Sequence, residues 1–309
     1  MAGRFAPSPT SDLHLGNLRT ALVAWLLART NGAEFRLLIE DLDTQRVTAA
    51  PDVARRQLAD LAALGLEHDG EVVWQSRRLD AYAEAVAGLD TYPCYCTRRE
   101  IAQAASAPHG DGHRPYPGTC RRLSDRRRAE LAATRRPALR VRADGASSTV
   151  RDLWAGEVTA VVDDFVVTRN DGVPAYNLAV VVDDLAMGVD QVCRGDDLLS
   201  SAPRQAWLAR RLGGEPPAYA HVPLAVNGAG VRLAKRDGAV TLADLSALGA
   251  TPPHVLGRLA ASLGLAGGEE PVTPASLLAR FDPAALPREP WVVEPPDYPD
   301  ASVNSRSTT

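Results

Sequence analysis

Three groups of residues in this sequence have the types and spacing to do chemistry. The first is His14-Leu15-Gly16-Asn17, at the head of an apolar helical stretch. Backbone N–H groups and the dipole at a helix start attract phosphate. Gly16 would admit a nucleotide close to the backbone, and His14 and Asn17 can donate hydrogen bonds to phosphate oxygens. The second is Arg232-Leu233-Ala234-Lys235-Arg236-Asp237-Gly238, a cationic loop ending on glycine. Such a loop suits a polyphosphate whose charge grows during reaction. Lys235 is the one lysine beside 33 arginines, and its ammonium is a mobile point charge where a guanidinium is a planar fork. The third is Cys94-x-Cys96 with Cys120. Two close thiolates and a distant third suit a structural zinc that needs one more ligand, and His109, His113 and Tyr116 are the candidates. Taken singly, each group also has a structural explanation: a helix with Asn17 as its N-cap, a solvated basic loop, and three reduced thiols.

The elements that must position these groups alternate. Residues 3–6 read as a strand, 17–30 as a helix with Leu18, Ala21, Leu22, Trp25 and Leu26 on one face, and 35–39 as a buried strand. That strand ends in the acidic turn Glu40-Asp41-Leu42-Asp43, and Pro51 starts a further helix with Val53, Leu58, Leu61 and Leu64 inward. Strand, helix, strand, helix predicts an α/β fold, a Rossmann-like, doubly wound parallel sheet. From Tyr92 to Val167 the pattern breaks into cysteines, a Gly/Pro/His loop, seven arginines between Arg121 and Arg136, and short strands at 138–141 and 159–167. It resumes over 176–185, with a strand at 191–194, a helix at 198–212 and a hairpin at 222–233 around Asn227-Gly228. The expected organisation is a catalytic core in two halves (1–93 and 168–240), an inserted zinc-binding and connective subdomain (94–167), a short helical stem-like region (241–286) and a mobile tail (287–309).

Composition removes several function classes. With 309 residues, 45% hydrophobic and 23% charged, the chain reads as a globular protein and not a disordered one. A net charge of −4 excludes a globally basic nucleic-acid coat. It leaves room for a local patch, and the seven arginines could face a phosphate backbone. The longest apolar run, 21–28, falls far short of the roughly 20 residues a membrane helix needs. The amino terminus lacks the apolar core of a secretory signal, and four cysteines in so long a chain do not make a disulfide scaffold. A reducing cytoplasm with no membrane partner is expected. Cys193, in an apolar strand, reads as a buried thiol.

In order along the chain, Arg4-Phe5-Ala6-Pro7-Ser8-Pro9-Thr10, His14-x-Gly16-Asn17, Arg19-Thr20-Ala21-Leu22, Glu40-Asp41-x-Asp43 and Leu233-Ala234-Lys235-Arg236 resemble the class I glutamyl-tRNA synthetases. His14 to Asn17 stand for the family's His-Ile-Gly-His motif, and the lysine loop for its Lys-Met-Ser-Lys motif. The resemblance implies activation of L-glutamate by ATP, with catalysis by His14, Asn17 and Lys235 and ATP binding by these with Gly16. It implies a glutamate pocket of Arg4, Phe5, Ala6, Pro7, Ser8, Glu40, Tyr176 and Arg194, with Glu40 at the α-ammonium and an arginine fork at the side-chain carboxylate. Mg²⁺ would arrive with the nucleotide, and Tyr116 would complete one structural zinc site with Cys94, Cys96 and Cys120. The short chain and the Cys-x-Cys pair point to paralogues that activate glutamate without tRNA. These then esterify it to the queuosine base in the anticodon of tRNA(Asp), and a monomer is expected. Two other readings fit the same residues: a catalytic fragment of a glutamyl-tRNA(Glu) synthetase, and a non-catalytic tRNA-binding paralogue. The second is motivated by departures from the family pattern at Ser11, Arg232 and Ala234. Apart from the resemblance, Glu40 could pair with Arg36 or Arg46, Arg194 with a neighbouring aspartate, and Tyr176 could sit in the core.

Overall fold

A short strand buried at every position, β1 (Ala2–Phe5), runs into a loop and then α1 (Leu15–Thr30). Burial on both faces is the mark of a central parallel strand. Eleven of the 16 residues of α1 are buried, from Leu15 to Ala28, so this helix lies between layers and shows no solvent face along most of its length. The computed structural model describes residues 1–48, 52–97, 99–101, 115–233, 240–267 and 270–293.

The central sheet has seven strands in the order β3 (Val73–Trp74), β2 (Glu34–Ile39), β1, β9 (Gln191–Gly195), β10 (Ala218–Val222), β6 (Ser147–Asp152) and β7 (Gly156–Val161). All pairs are parallel except β6 with β7. Neighbouring residues of one strand join different apolar clusters. Cys193 and Ala220 pack with α1, whereas Val192 and Tyr219 pack with Ala202 and Ala206. Adjacent side chains point to opposite faces of a strand, so both faces of the sheet are covered, as expected of a doubly wound fold. Strand order reverses between β1 and β9, and a crevice opens outside the strand ends at such a switch point. Arg4 lies beside Val192 in register, so Arg194, two residues further on, points to the same side as Arg4.

Several elements depart from expectation for identifiable reasons. Helix α1 starts at Leu15 with His14 as its cap, not at Asn17. The strand expected over 159–167 is broken between β7 and β8 (Val166–Thr168), where the Asp163 carboxylate accepts from Tyr116 N (2.9 Å) and Asp164 from the Tyr92 hydroxyl (2.7 Å). Residues 94–167 divide: β5 (Ala138–Val141) pairs with β4 (Thr91–Cys94) and β8 in a small antiparallel sheet, while β6 and β7 extend the central one. The helix expected from 198 begins as a 3₁₀ turn, Asp196–Ser201, and becomes α-helical over Ala202–Arg211, with proline in its first turn. The expected hairpin is present over 225–233, where Val226 bridges Arg232, Asn227 N donates to Val231 O at 2.8 Å and Leu233 N to Ala225 O at 3.1 Å, while the other edge of β11 (Ala225–Val226) pairs with β12 (Trp291–Val292). Residues 287–293, expected as tail, therefore carry a strand, and Val293 is buried. Residues 294–309 and Pro51 lie outside the described residues.

Candidate active site

A cavity of about 460 Å³ opens where β1 and β9 end beside the start of α1. It is lined by Arg4, Phe5, Ala6, Pro7, Ser8, His14, Gly16, Asn17, Glu40, Tyr176 and Arg194, which are all the residues expected at the glutamate and ATP sites except Lys235. The alternative explanations fail for two of them: Arg194 is 5% exposed and is no surface pair, and Tyr176 is 36% exposed and is not core. Arg36 pairs with Glu34.

At the start of α1, His14 Nδ1 accepts backbone N–H bonds from Gly16 (3.1 Å) and Asn17 (3.3 Å). A backbone amide can only donate, so Nδ1 carries no proton and the neutral ring keeps its proton on Nε2. Burial, then the nearby Arg232 cation, lowers the imidazole pKa to about 4. His14 is therefore a neutral donor at working pH. Asn17 returns its Oδ1 to His14 N at 3.2 Å, which leaves the amide N–H groups to donate. Gly16 is required by close approach: a Cβ there would lie 2.9 Å from Ala225 Cβ and 3.0 Å from the His14 ring. Arg232, paired with Asp197, also lines the cavity. Leu15 N donates to Val240 O at 3.0 Å and His14 bridges Thr241, so the residues on both sides of 234–239 meet this corner. Lys235 itself, with Ala234 and Arg236, lies outside the described residues.

In the β1 wall of the cavity, Arg4 grips Asp184 with two hydrogen bonds, Nε at 2.8 Å and Nη2 at 3.0 Å. Asp183 next to it accepts from Gln75 (2.9 Å), Arg78 (2.6 Å) and Tyr82 (2.8 Å), which locks this helix, Tyr176–Ala186, against the chain after β3. Glu40 is held by its backbone, its N–H donating to Pro7 O at 3.0 Å and its carbonyl accepting from Ser8 Oγ at 3.3 Å. Burial pushes its carboxyl up to about 7, against the pull of Arg4. Arg194 donates to Gln205 Oε1 (2.7 Å), Leu198 O (3.2 Å), His221 Nε2 (3.0 Å) and, at a longer 3.4 Å, the Tyr176 hydroxyl. Burial keeps His221 below the usual histidine range even though Asp152 sits 2.7 Å from its Nδ1. Asp152, Asp184, Gln205 and His221 were not foreseen. The available signal was Asp183-Asp184 within an otherwise apolar helical run, since a buried charge there demands a partner.

The three thiol sulfurs of Cys94, Cys96 and Cys120 lie within 4.8 Å of one another, and the group could hold a metal ion. The Tyr116 hydroxyl is 3.5 Å from Cys94 Sγ and 3.9 Å from Cys96 Sγ, and Cys96 and Cys120 sulfurs are 3.4 Å apart. Ligand spacings of this size suit a tetrahedral ion bound at ~2.0–2.3 Å. His109 and His113 lie outside the described residues. A second cleft, of about 1240 Å³, runs from this cluster past Arg135, Arg136, Arg169 and Arg204 to Tyr176, which lines both cavities. Much of the arginine run is internally paired: Arg127 and Arg126 with Glu130, Arg128 with Asp125, Arg121 with Asp144, and Arg135 with Glu100. Cys193 is buried, as expected.

The family model described as tRNA synthetases class I (E and Q), catalytic domain, matches residues 1–293, and the chain belongs to that family. It is 60% identical over 298 residues to the glutamyl-Q tRNA(Asp) synthetase of Nocardia farcinica, covering 94% of this chain and 93% of that one. It is 55% identical to the protein of the same name from Cutibacterium acnes, covering 92% and 85%. The crystal structure of glutamate-tRNA synthetase from Elizabethkingia anophelis superposes with a TM-score of 0.75 at 27% identity, covering 93% of this chain and 66% of that one. The protein is thus an enzyme, a ligase of the aminoacyl-tRNA synthetase type, and the reading as a non-catalytic paralogue is set aside. Among the described residues no helix is long and apolar enough to cross a membrane.

Proposed function

We propose that this enzyme activates glutamate with ATP in the absence of tRNA and then transfers it to the queuosine base in the anticodon of tRNA(Asp). The observation that carries the first step is that one cavity joins an arginine–carboxylate pocket to a helix start bearing neutral donors. In this reading Glu40 receives the α-ammonium, and Arg194 with Tyr176 the side-chain carboxylate. An α-carboxylate oxygen attacks the α-phosphorus. That O–P bond forms, the bond to the bridging oxygen breaks, and its electron pair leaves with pyrophosphate. The nucleophile is already ionised, so catalysis reduces to alignment and charge stabilisation. His14 Nε2, the Asn17 amide and the Lys235 ammonium supply the stabilisation, and Lys235 precedes Val240 and Thr241, which pair with Leu15 and His14. When bound with ATP, Mg²⁺ would supply further positive charge to the phosphates beside His14, Asn17 and Lys235.

Zinc held by Cys94, Cys96, Tyr116 and Cys120 would tie the segment 94–120 together; its role is structural. The basic cleft between that cluster and Tyr176 supports approach of an RNA strand to the adenylate. The names of the 60% and 55% identical relatives support queuosine-bearing tRNA(Asp) as the acceptor. Incubation of labelled glutamate and ATP with tRNA(Asp) carrying or lacking queuosine tests the transfer. Label is expected only on the modified tRNA. Label at the 3′ end of tRNA(Glu) would instead make the enzyme a glutamyl-tRNA(Glu) synthetase.

A further inference from the structure

The two arginines of the pocket are held in chemically different ways. Arg4 is clamped by a carboxylate, Asp184, at 2.8 and 3.0 Å, so its charge is compensated within the protein. Arg194 is buried just as deeply, yet its described hydrogen-bond partners are all neutral: an amide oxygen, a backbone carbonyl, a phenol and an imidazole nitrogen. The imidazole is the informative one. An arginine Nε–H can only donate, so His221 Nε2 is unprotonated, and the proton of the neutral ring sits on Nδ1 facing Asp152 Oδ2 at 2.7 Å. Asp152 is itself fixed by the backbone N–H groups of Trp154 (2.9 Å), Ala155 (2.8 Å) and His221 (3.1 Å). Tyr219 stacks on the His221 ring at 5.8 Å. His221 and Asp152 are 3% and 2% exposed. Three strands contribute one group each: Arg194 from β9, His221 from β10 and Asp152 from β6.

We propose that His221, oriented by Asp152, is the positioning residue that makes the pocket specific for an anionic side chain: it fixes Arg194 through a neutral acceptor and leaves the guanidinium charge for the substrate. The proposal rests on the reading that Arg194 meets the substrate's side-chain carboxylate. A carboxylate directly on Arg194 would hold it as firmly but would cancel the charge that tells glutamate from glutamine. Interposing the imidazole separates the two tasks. Asp152 selects the tautomer, and the tautomer presents a lone pair, not a second donor, to Nε. With Nε, Nη1 and Nη2 each anchored, one N–H and the long Tyr176 contact remain to face a ligand.

The test is glutamate- and glutamine-dependent ATP–pyrophosphate exchange by the wild type, His221→Asn, His221→Gln and Asp152→Asn. His221→Asn removes the acceptor for Arg194. It should raise the glutamate KM about 10-fold or more, narrow the preference for glutamate over glutamine, and leave the ATP KM within about 2-fold. His221→Gln keeps an acceptor near the position of Nε2 and should recover most of the loss. Asp152→Asn should act like His221→Asn with the ring still present, through the wrong tautomer. A merely structural role would lower the folded fraction without splitting the two KM values. Nitrogen-15 NMR of the wild type gives a reading independent of any variant: His221 should show a protonated Nδ1 and a bare Nε2 from pH 6 to 8. Exchange in the wild type with an unchanged glutamate KM in His221→Asn, or a protonated Nε2, overturns this proposal alone. No glutamate-dependent exchange in the wild type overturns the underlying reading with it.

Discussion

The pocket alters the charge of Glu40. Burial raises its carboxyl to about 7, so the ligand-free protein holds a proton there that the unfolded chain releases near 4.5. A carboxyl raised on folding binds more protons folded than unfolded. Its contribution to stability is therefore fullest below 4.5 and is lost as pH rises towards 7. Glu40→Gln should gain thermal stability relative to wild type at pH 7.5 more than at pH 4.5, as melting curves at the two pH values would show. The same variant should lose glutamate affinity, because an amide cannot meet an ammonium as a carboxylate does. Glu40 and Arg4, which both line the cavity, were reached through the family resemblance, which contiguous motifs carry. Asp184, His221 and Asp152 were not: each reaches the pocket from a distant stretch of chain, and a single aspartate or histidine carries no pattern until strand order brings it beside an arginine.

In the proposed mechanism the start of α1 does two jobs with one imidazole. Nδ1 caps the helix through Gly16 and Asn17, and Nε2–H is the donor left for a phosphate. His14→Ser keeps a capping oxygen and removes the outward donor. Its melting temperature should stay near wild type while the exchange rate falls about 10²-fold. His14→Ala should lose the rate and also about 1 kcal/mol of stability, measured by denaturant unfolding. Sequence reading placed the helix start near Asn17 because asparagine is a frequent cap and histidine is not. The actual cap uses both, in a reciprocal pair that only the backbone geometry reveals. The alternation of strands and helices was legible through the burial of β1, β2 and β9. The attachment of β6 and β7 to the same sheet was not, since their outward residues alternate with buried ones as in any hairpin.

Across the whole molecule, the cleft is closed from behind by the end of the described chain. β12 pairs with β11, Trp291 N donates to Leu224 O at 2.9 Å and Val293 N to Val226 O at 2.8 Å, directly behind Ala225 in the cavity wall. A chain ending at Leu286 should therefore melt at least about 2 °C below one ending at Val293, and should bind ATP more weakly. That coupling was invisible in the sequence, where a proline- and aspartate-rich stretch reads as tail. In the proposed mechanism a single cleft aligns glutamate with ATP, and the solitary lysine, Lys235, acts on the same phosphates. The decisive measurement is glutamate-dependent ATP–pyrophosphate exchange without tRNA, in the wild type and in Lys235→Ala. Exchange by the wild type, reduced about 10²-fold in Lys235→Ala at an unchanged glutamate KM, is the expected result. Equal rates in the two proteins, or none from the wild type, would contradict it.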